Sequence, residues 1–429
     1  MKNNSLIWRR LDNSAKIFPL STGKRYSTVF RLSVLLKENV NPSLLQKAVE
    51  ETLQKYQCFK VKLKKGFFWH YLESNNKMPK VQEEKDYPCK YIDPTLNRGY
   101  LFKVTYFKNK INIDIFHALT DGNSANVFFR EIVYTYLEMC YPNELKQENR
   151  IIKKIDYNTE DSYIKNYDKK SKSNVSGKRA YKIKARKIKL GAVSVIHQII
   201  NLEQLTIQAK KYNATITQYL TAVLMYSIYN ENYIKNKGKK PIKICIPVNL
   251  KKYFPSKTIS NFFSYITIIG EMHNKKLDTF QKIIEFVKTG FKEQLTEKEI
   301  IKTMSNNVKL GNHIFIKTIP LFLKILIVRL AYLEIRKYGT ITFSNIGRIG
   351  ILGDYKNYIE YFMMLIAPDP YERIKCSSCT FENNMVFTFT SILNDNKIEQ
   401  GFYRFLKEQG IEVKIESNGV LDDISGEIK

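Results

Sequence analysis

The sequence predicts an α/β protein made of two domains with mixed sheets. Three observations carry that expectation: 429 residues with 44% hydrophobic content, helical and extended apolar patterns alternating along the whole chain, and a polar, Lys-rich stretch that interrupts them. The length exceeds one typical domain and suits two of roughly 200 residues each. The alternation lacks the strict strand–helix–strand rhythm of a doubly wound sheet, so mixed sheets are expected. No repeat of short period occurs.

Asn41 and Pro42 form an N-cap and first-turn pair, and Leu44, Leu45, Ala48, Val49 and Leu53 recur behind them at helical spacing. Two extended runs follow, Cys58 to Leu63 and Phe67 to Leu72, arranged as a hairpin around Lys64, Lys65 and Gly66. A second hairpin, Leu101 to Phe107 and Ile111 to Phe116, turns at Lys108 to Lys110 and delivers the chain to His117. The polar residues Asp121 to Asn123 break the strand. From Ser124 onward Val127, Phe128, Ile132, Val133, Tyr136 and Leu137 return to helical spacing. His117 is therefore expected at a strand end before a helix.

Between about Asn149 and Lys189 the chain is polar and Lys-rich, which predicts an exposed interdomain connection. The boundaries read as a first domain over 1–170, a basic linker over 171–189 and a second domain over 190–429. In the second, helices are expected near Leu202 to Tyr212, Thr215 to Tyr233 and Thr279 to Leu295. Strands are expected near Ile242 to Ile246, Phe262 to Ile269, Thr340 to Phe343 and Met385 to Leu393.

Lys and Arg outnumber Asp and Glu by 70 to 41, a formal charge of +29. Such a field favours phosphate-bearing ligands, acidic proteins or anionic lipid. No zinc-finger spacing, RNA-binding signature or GxxxxGK[ST] loop accompanies it, so no nucleic-acid partner is expected. The N-terminus lacks the apolar core and cleavage site of a secretory signal, which predicts a cytoplasmic protein. The most apolar run, Ile319 to Ile335, is broken by Lys324 and Arg329. It reads as a packed or surface amphipathic helix, the chain's one candidate for membrane contact. Cys376 and Cys379 form a single CxxC with no second pair, so no metal site is expected. A monomer is expected.

In FHALTDG, His117 and Asp121 lie four residues apart where a strand meets a helix, a position at which scaffolds expose reactive groups. The segment resembles the HHxxxDG signature of the chloramphenicol acetyltransferase-like superfamily, which includes peptide-synthetase condensation domains, plant acyltransferases and alcohol acetyltransferases. Phe116 replaces the first His, while His117, Asp121 and Gly122 match the second His, the Asp and the Gly. IPVNLKKYFPSKTISNFFSY, from Ile246 to Tyr265, and TFSNIGRIG, from Thr342 to Gly350, resemble the alcohol acetyltransferase branch in particular. The opening stretch LQKAVEETLQKYQCFKVKL into GFFWHYLE is similar too, so the likeness runs over most of the chain. Family members often carry Arg after PVNL, where this chain has Lys251.

The resemblance implies two similar α/β domains, the first carrying the HxxxDG motif, that meet along a tunnel into which His117 points. It implies an acyltransferase that moves an acyl group, acetyl by expectation, from acyl-CoA to a small alcohol or amine. No bound cofactor is implied, because acyl-CoA is a co-substrate; an acyl carrier protein is the alternative donor. His117 is the expected general base, since a neutral imidazole of reference pKa about 6.5 accepts an acceptor's proton near neutrality. Asp121 is expected to hold the loop by pairing with a basic group, Arg31 or another early arginine, and Gly122 to serve the turn into the helix. Ser344 and Asn345 are candidate oxyanion donors, with a turn between Phe343 and Gly347 as the alternative. Asn249 and Asn261 are candidates for ordering the tunnel or donor site, although asparagines beside strand ends also hold loops together. The other histidines, His70, His197, His273 and His313, have no acid or nucleophile pattern around them and are expected to be structural or exposed. No GxSxG elbow is present.

Rival readings are a condensation-like scaffold without catalysis and a basic protein driven by charge onto membrane or nucleic acid.

Overall fold

A computed structural model describes residues 8–23, 26–145, 158–171, 177–274, 277–312 and 314–421. Its strands in chain order are β1 (Trp8–Arg10), β2 (Val29–Leu36), β3 (Val61–Lys65), β4 (His70–Ser74), β5 (Gln82–Glu83), β6 (Phe102–Phe107), β7 (Lys110–Phe116), β8 (Ser194–Asn201), β9 (Ile242–Asn249), β10 (Phe263–Gly270), β11 (Ile341–Arg348), β12 (Ile359–Ile366), β13 (Ile374–Phe381), β14 (Asn384–Ser391) and β15 (Val413–Ser417).

The antiparallel pair β2–β7 sorts its side chains by face, as the two-residue strand period requires. Phe30, Leu32 and Val34 stand opposite Ile115, Ile113 and Ile111 on one face. These residues share one core with Leu45, Ala48 and Leu53 of the helix Pro42–Lys55 and with Phe128, Ile132 and Val133 of the helix Gly122–Cys140. The other face is polar yet buried: Arg31 stands opposite Asp114, and Ser33 opposite Asn112. Its polar groups pair with one another, Ser33 Oγ donating to Asn112 Oδ1 at 2.7 Å, which is what makes burial of polar groups tolerable. Asn41 caps the first helix by accepting from the backbone N–H groups of Ser43 and Leu44.

The sheet runs in the order β12-β2-β7-β6-β5 and is mixed, because β5 pairs parallel to β6 while the other pairs are antiparallel. Residues 359–366, far along the chain, thus complete the sheet begun by residues 29–36. A seven-stranded sheet follows the order β10-β9-β11-β13-β14-β8-β15, with β11 parallel to both its neighbours. The helices Leu202–Lys211, Ile216–Ile228, Phe280–Gln294 and Lys397–Glu408 bury their apolar faces with that sheet in a second core. A three-stranded sheet, β1-β4-β3, stands apart. Both larger sheets are mixed, as the irregular alternation in the sequence predicted.

Three local expectations need correction. In the first hairpin Gln57–Phe59 forms a 3₁₀ turn and β4 begins at His70, so Phe67 and Phe68 lie in the reversal instead of a strand and are exposed. In the Lys-rich connection Tyr163, Ala180, Tyr181, Ile183 and Ile188 are buried. The Tyr181 N–H donates to Pro241 O at 2.8 Å, and Thr340 Oγ1 donates to Tyr181 O at 2.8 Å, so part of that segment is laid onto the second half. The helix Leu321–Ile335 lies at the surface, one of the two expected placements, but it is not amphipathic: only Leu321 and Lys324 are buried. No helix of the described residues is long and apolar enough to cross a membrane.

Candidate functional site

His117 follows β7 directly, in the turn before the helix Gly122–Cys140. Its loop is stitched to the segment before β10 by three sets of bonds. Thr120 Oγ1 donates to Ile259 O at 2.6 Å, the Phe262 N–H donates to Asp121 Oδ2 at 3.0 Å, and Asn261 Nδ2 donates to His117 O at 3.1 Å. The two halves of the chain therefore fix the histidine between them.

His117 Nδ1 lies 2.9 Å from Asn261 Oδ1. The amide's orientation follows from its other contacts: Asn261 Nδ2 faces Asp12 Oδ2 at 3.0 Å and His117 O at 3.1 Å, both acceptors only. Oδ1 is thus the atom turned to the imidazole, and it can only accept. Nδ1 must carry the proton, leaving the Nε2 lone pair free. Asp12 is itself held by the Ala15 and Asn261 backbone N–H groups at 2.8 and 3.1 Å. Burial pushes the Asp12 carboxyl up to about 6 against those donors.

The imidazole is boxed by aromatic rings. Phe18 stacks on it at 4.6 Å between centroids, with Phe30 edge-on at 5.1 Å and Phe263 tilted at 5.3 Å. Burial lowers its pKa below the ordinary histidine value, opposed by the charge of Asp121 and the hydrogen bond to Asn261. At neutral pH the ring is a neutral base with one available nitrogen.

Asp121 is the N-cap of its helix, Oδ1 accepting from the Ser124 N–H at 2.9 Å. Its basic neighbour is Lys251, whose Nζ lies 4.0 Å from Oδ2 and donates to Ser124 Oγ at 2.6 Å. Arg31 does not serve here. Its guanidinium forks onto Asp114, with Nε–Oδ1 at 2.8 Å and Nη2–Oδ2 at 2.6 Å, and also bonds Glu84. Gly122 has no positive φ, and a Cβ there would sit 3.3 Å from Ile346 Cγ2 and 3.4 Å from Met364 Cε, a tight fit that asks those side chains to give by a few tenths of an ångström.

His117, Asp121, Gly122, Asn249, Ser344 and Asn345 all line one cavity of about 440 Å³. Ser344 and Asn345 come from β11, next to a register shift between Asn345 and Arg348. Asn345 is partly committed, donating to Thr217 Oγ1 at 3.0 Å and accepting from the Gly347 N–H at 2.8 Å, and it lies within the strand β11 where the sequence offered a turn as the alternative. Asn249 accepts from the Lys251 N–H at 3.0 Å and so shapes the loop carrying that lysine. Asn261 lies behind the histidine instead of in the cavity wall. A larger cavity of about 1030 Å³ is lined by Asp12, Lys16, Trp69 and Lys317, so the line His117–Asn261–Asp12 joins two cavities.

Asp12, Phe18, Phe30 and Thr217 were not singled out by sequence reasoning; no spacing marks them, because they meet Asn261, His117 and Asn345 only through the fold. None of the other described histidines lines the cavity that His117 lines, although His70 lines the larger one. His70 is buried with its pKa pushed down to about 4, and His197, also lowered to about 4 by burial, has Nδ1 2.9 Å from Thr388 Oγ1. His273 lies in a short 3₁₀ turn and is exposed, and His313 lies outside the described residues. Cys376 and Cys379 are free thiols three apart on β13, which turns them to opposite faces.

Residues 163–348 match the family model of the alcohol acetyltransferases. The alcohol acetyltransferase match takes in Asn249, Lys251, Asn261, Ser344 and Asn345, while His117 lies before it. Solved acetyltransferases and condensation domains share its fold over 94% or more of the chain. It is similar to the trichothecene 15-O-acetyltransferase TRI3 of Fusarium sporotrichioides, with 9% identity, 94% of each chain covered and a TM-score of 0.63. TRI101 of F. sporotrichioides, solved with coenzyme A and T-2, superposes at 9% identity over 95% of this chain and 99% of its own, with a TM-score of 0.63. The first condensation domain of the calcium-dependent antibiotic synthetase superposes at 11% identity over 98% of this chain and 97% of its own, with a TM-score of 0.59. No curated protein matches the sequence. The alcohol acetyltransferase match and the shared fold together support acyl transfer.

Proposed function

We propose that the protein transfers an acyl group, by expectation acetyl, from acyl-CoA to the hydroxyl or amine of a small acceptor, with His117 as general base. The observation that carries the reading is the neutral imidazole whose Nδ1 is tied to Asn261 Oδ1 at 2.9 Å and whose other nitrogen is left free beside the cavity. In the proposed step the acceptor O–H or N–H gives its proton to Nε2 as its heavy atom attacks the thioester carbonyl. The tetrahedral oxyanion then collapses, the C–S bond breaks, and the imidazolium returns its proton to the thiolate. No covalent acyl-enzyme forms, so donor and acceptor are held together.

The oxyanion is assigned to Ser344 Oγ as donor, because it lines the cavity that His117 lines, whereas the Asn345 amide already donates to Thr217. Asp121, Lys251 and Ser124 hold the loop and touch no reacting atom. The CoA complexes of superposed acetyltransferases favour acyl-CoA as donor, and a chain of formal charge +29 suits the anionic CoA. The condensation-domain likeness keeps an acyl carrier protein as the alternative donor.

Initial rates of thiol release from acetyl-CoA with a panel of alcohols and amines test the reading. Acceptor-dependent release with intersecting double-reciprocal lines is expected. Parallel lines, the mark of an acyl-enzyme, would contradict the ternary complex.

A further inference from the structure

We infer that the face formed by the helix Leu321–Ile335 and the β3–β4 reversal docks on an anionic lipid surface. The helix is inside out for a water-soluble protein. Phe322 is 71% exposed, Leu326 58% and Leu330 61%, while Lys324 is buried. Apolar side chains surround nearly the whole helix, a pattern that belongs in a core or in lipid.

The outward orientation is locked. Lys324 Nζ donates to Phe68 O at 2.8 Å and lies 3.6 Å from the centre of the Trp69 ring. The Leu321 N–H donates to Phe67 O at 2.8 Å, and Arg329 Nε donates to Leu20 O at 3.2 Å. Rotating the leucines inward would break all three bonds and the ring contact. The same bonds bring in the reversal, where Phe67 is 72% exposed beside the exposed Lys64 and Lys65.

Charge selects the occupant. Lys64, Lys65, Lys317 and Arg329 are exposed around the apolar surface. Glu334, the helix's single carboxylate, is already paired with Arg179 at 2.8 Å and with Lys337 at 2.6 Å. Two copies meeting across this face would bring like charges together, whereas an anionic bilayer accepts aromatic and leucine side chains at headgroup depth and neutralises the basic rim. Phe67, Phe68 and Lys317 also line the larger cavity that Asp12 lines, so the docked face would bring that cavity to the bilayer.

The test is cosedimentation of the full chain with vesicles of phosphatidylcholine, with and without about one-third phosphatidylglycerol, near physiological ionic strength, where the Debye length is about 8 Å. It uses the native chain and Leu326→Glu/Leu330→Glu, with thermal melts showing that both fold and sedimentation giving the mass in solution. Expected are binding to the anionic vesicles, weaker binding to neutral ones, and a loss of at least about tenfold in apparent affinity in the double variant. No binding by the native chain, or binding that the substitutions leave intact, would overturn the inference. So would a native dimer that the substitutions split, which would make a second copy the occupant. The readout requires no turnover and stands whatever the fate of the proposed reaction.

Discussion

Asn261→Ala tests how the base is held. The substitution removes the acceptor for the His117 Nδ1 proton, together with donors to Asp12 and to the His117 carbonyl. Asp12 keeps its bonds from the Ala15 and Asn261 backbone N–H groups, which survive the change. The bond to the charged Asp12 is worth about 1.5–3 kcal/mol and each of the two neutral ones about 1 kcal/mol, so a stability loss of roughly 3.5–5 kcal/mol is expected. In catalysis the variant loses the preference for one tautomer and one ring orientation. At about 1.4 kcal/mol, the scale of a single hydrogen bond, kcat/KM falls roughly tenfold. The pH profile gives a sharper reading. Burial lowers the His117 pKa and the Asn261 bond opposes that shift, so deleting the bond lowers it further. The basic form is the active one, so kcat/KM rises with pH through this pKa, and the midpoint of the rise moves to lower pH in the variant. Thiol release from acetyl-CoA between about pH 4 and 8, with melts at each pH, measures both effects. A folded variant with unchanged kcat/KM, or a midpoint that moves upward, would refute the positioning role.

Ser344→Ala should lower kcat by roughly 100-fold or more with little change in acetyl-CoA KM if its hydroxyl meets the oxyanion, and an unchanged kcat would return Ser344 to a wall residue. Arg31→Met strands the buried Asp114 carboxylate, since Lys110 remains near Glu84 but nothing replaces the fork on Asp114; denaturant titration should show a loss of about 3–5 kcal/mol. Burial holds the Glu399 carboxyl up at about 8 from an ordinary 4.5. The unfolded chain gives up that proton more readily, so the carboxyl's contribution is full below about pH 4.5 and is lost as pH rises through 8. Glu399→Gln should therefore match the native chain near pH 4 and exceed it at pH 8 by on the order of 4 kcal/mol; a gap that closes with rising pH would contradict this.

The sequence made strong helix and hairpin signals legible. The Asn41–Pro42 start, the β6–β7 hairpin and the junction at His117 lie where their spacing predicts, because capping and two-residue alternation are local physics. The strand β2 was harder to read: VFRLSVLL has Arg and Ser on a face that is buried against paired partners, so its pattern is neither alternating polar-out nor wholly apolar. Residues 359–366 gave no sign that they complete a sheet begun more than 300 positions earlier, since strand pairing across such a separation leaves no local mark. The motif residues were legible by resemblance, and their partners were not. Lys251 stood out as a departure from Arg, but its place near Asp121 became visible only when β9 and the motif loop met. Asp12 had no signal at all. For Leu321–Ile335 the sequence predicts a packed or a surface amphipathic helix; the helix lies at the surface but without a polar face turned outward, because the apolar run cannot report which way Lys324 turns.

The most direct test of the account is acceptor-dependent thiol release by the native chain and by His117→Ala, each first shown to be folded by its thermal melt. Turnover that the substitution lowers by at least about 100-fold, the lower end of a general base's contribution, is expected. Equal turnover in the folded variant would contradict it, and would remove His117 from the chemistry.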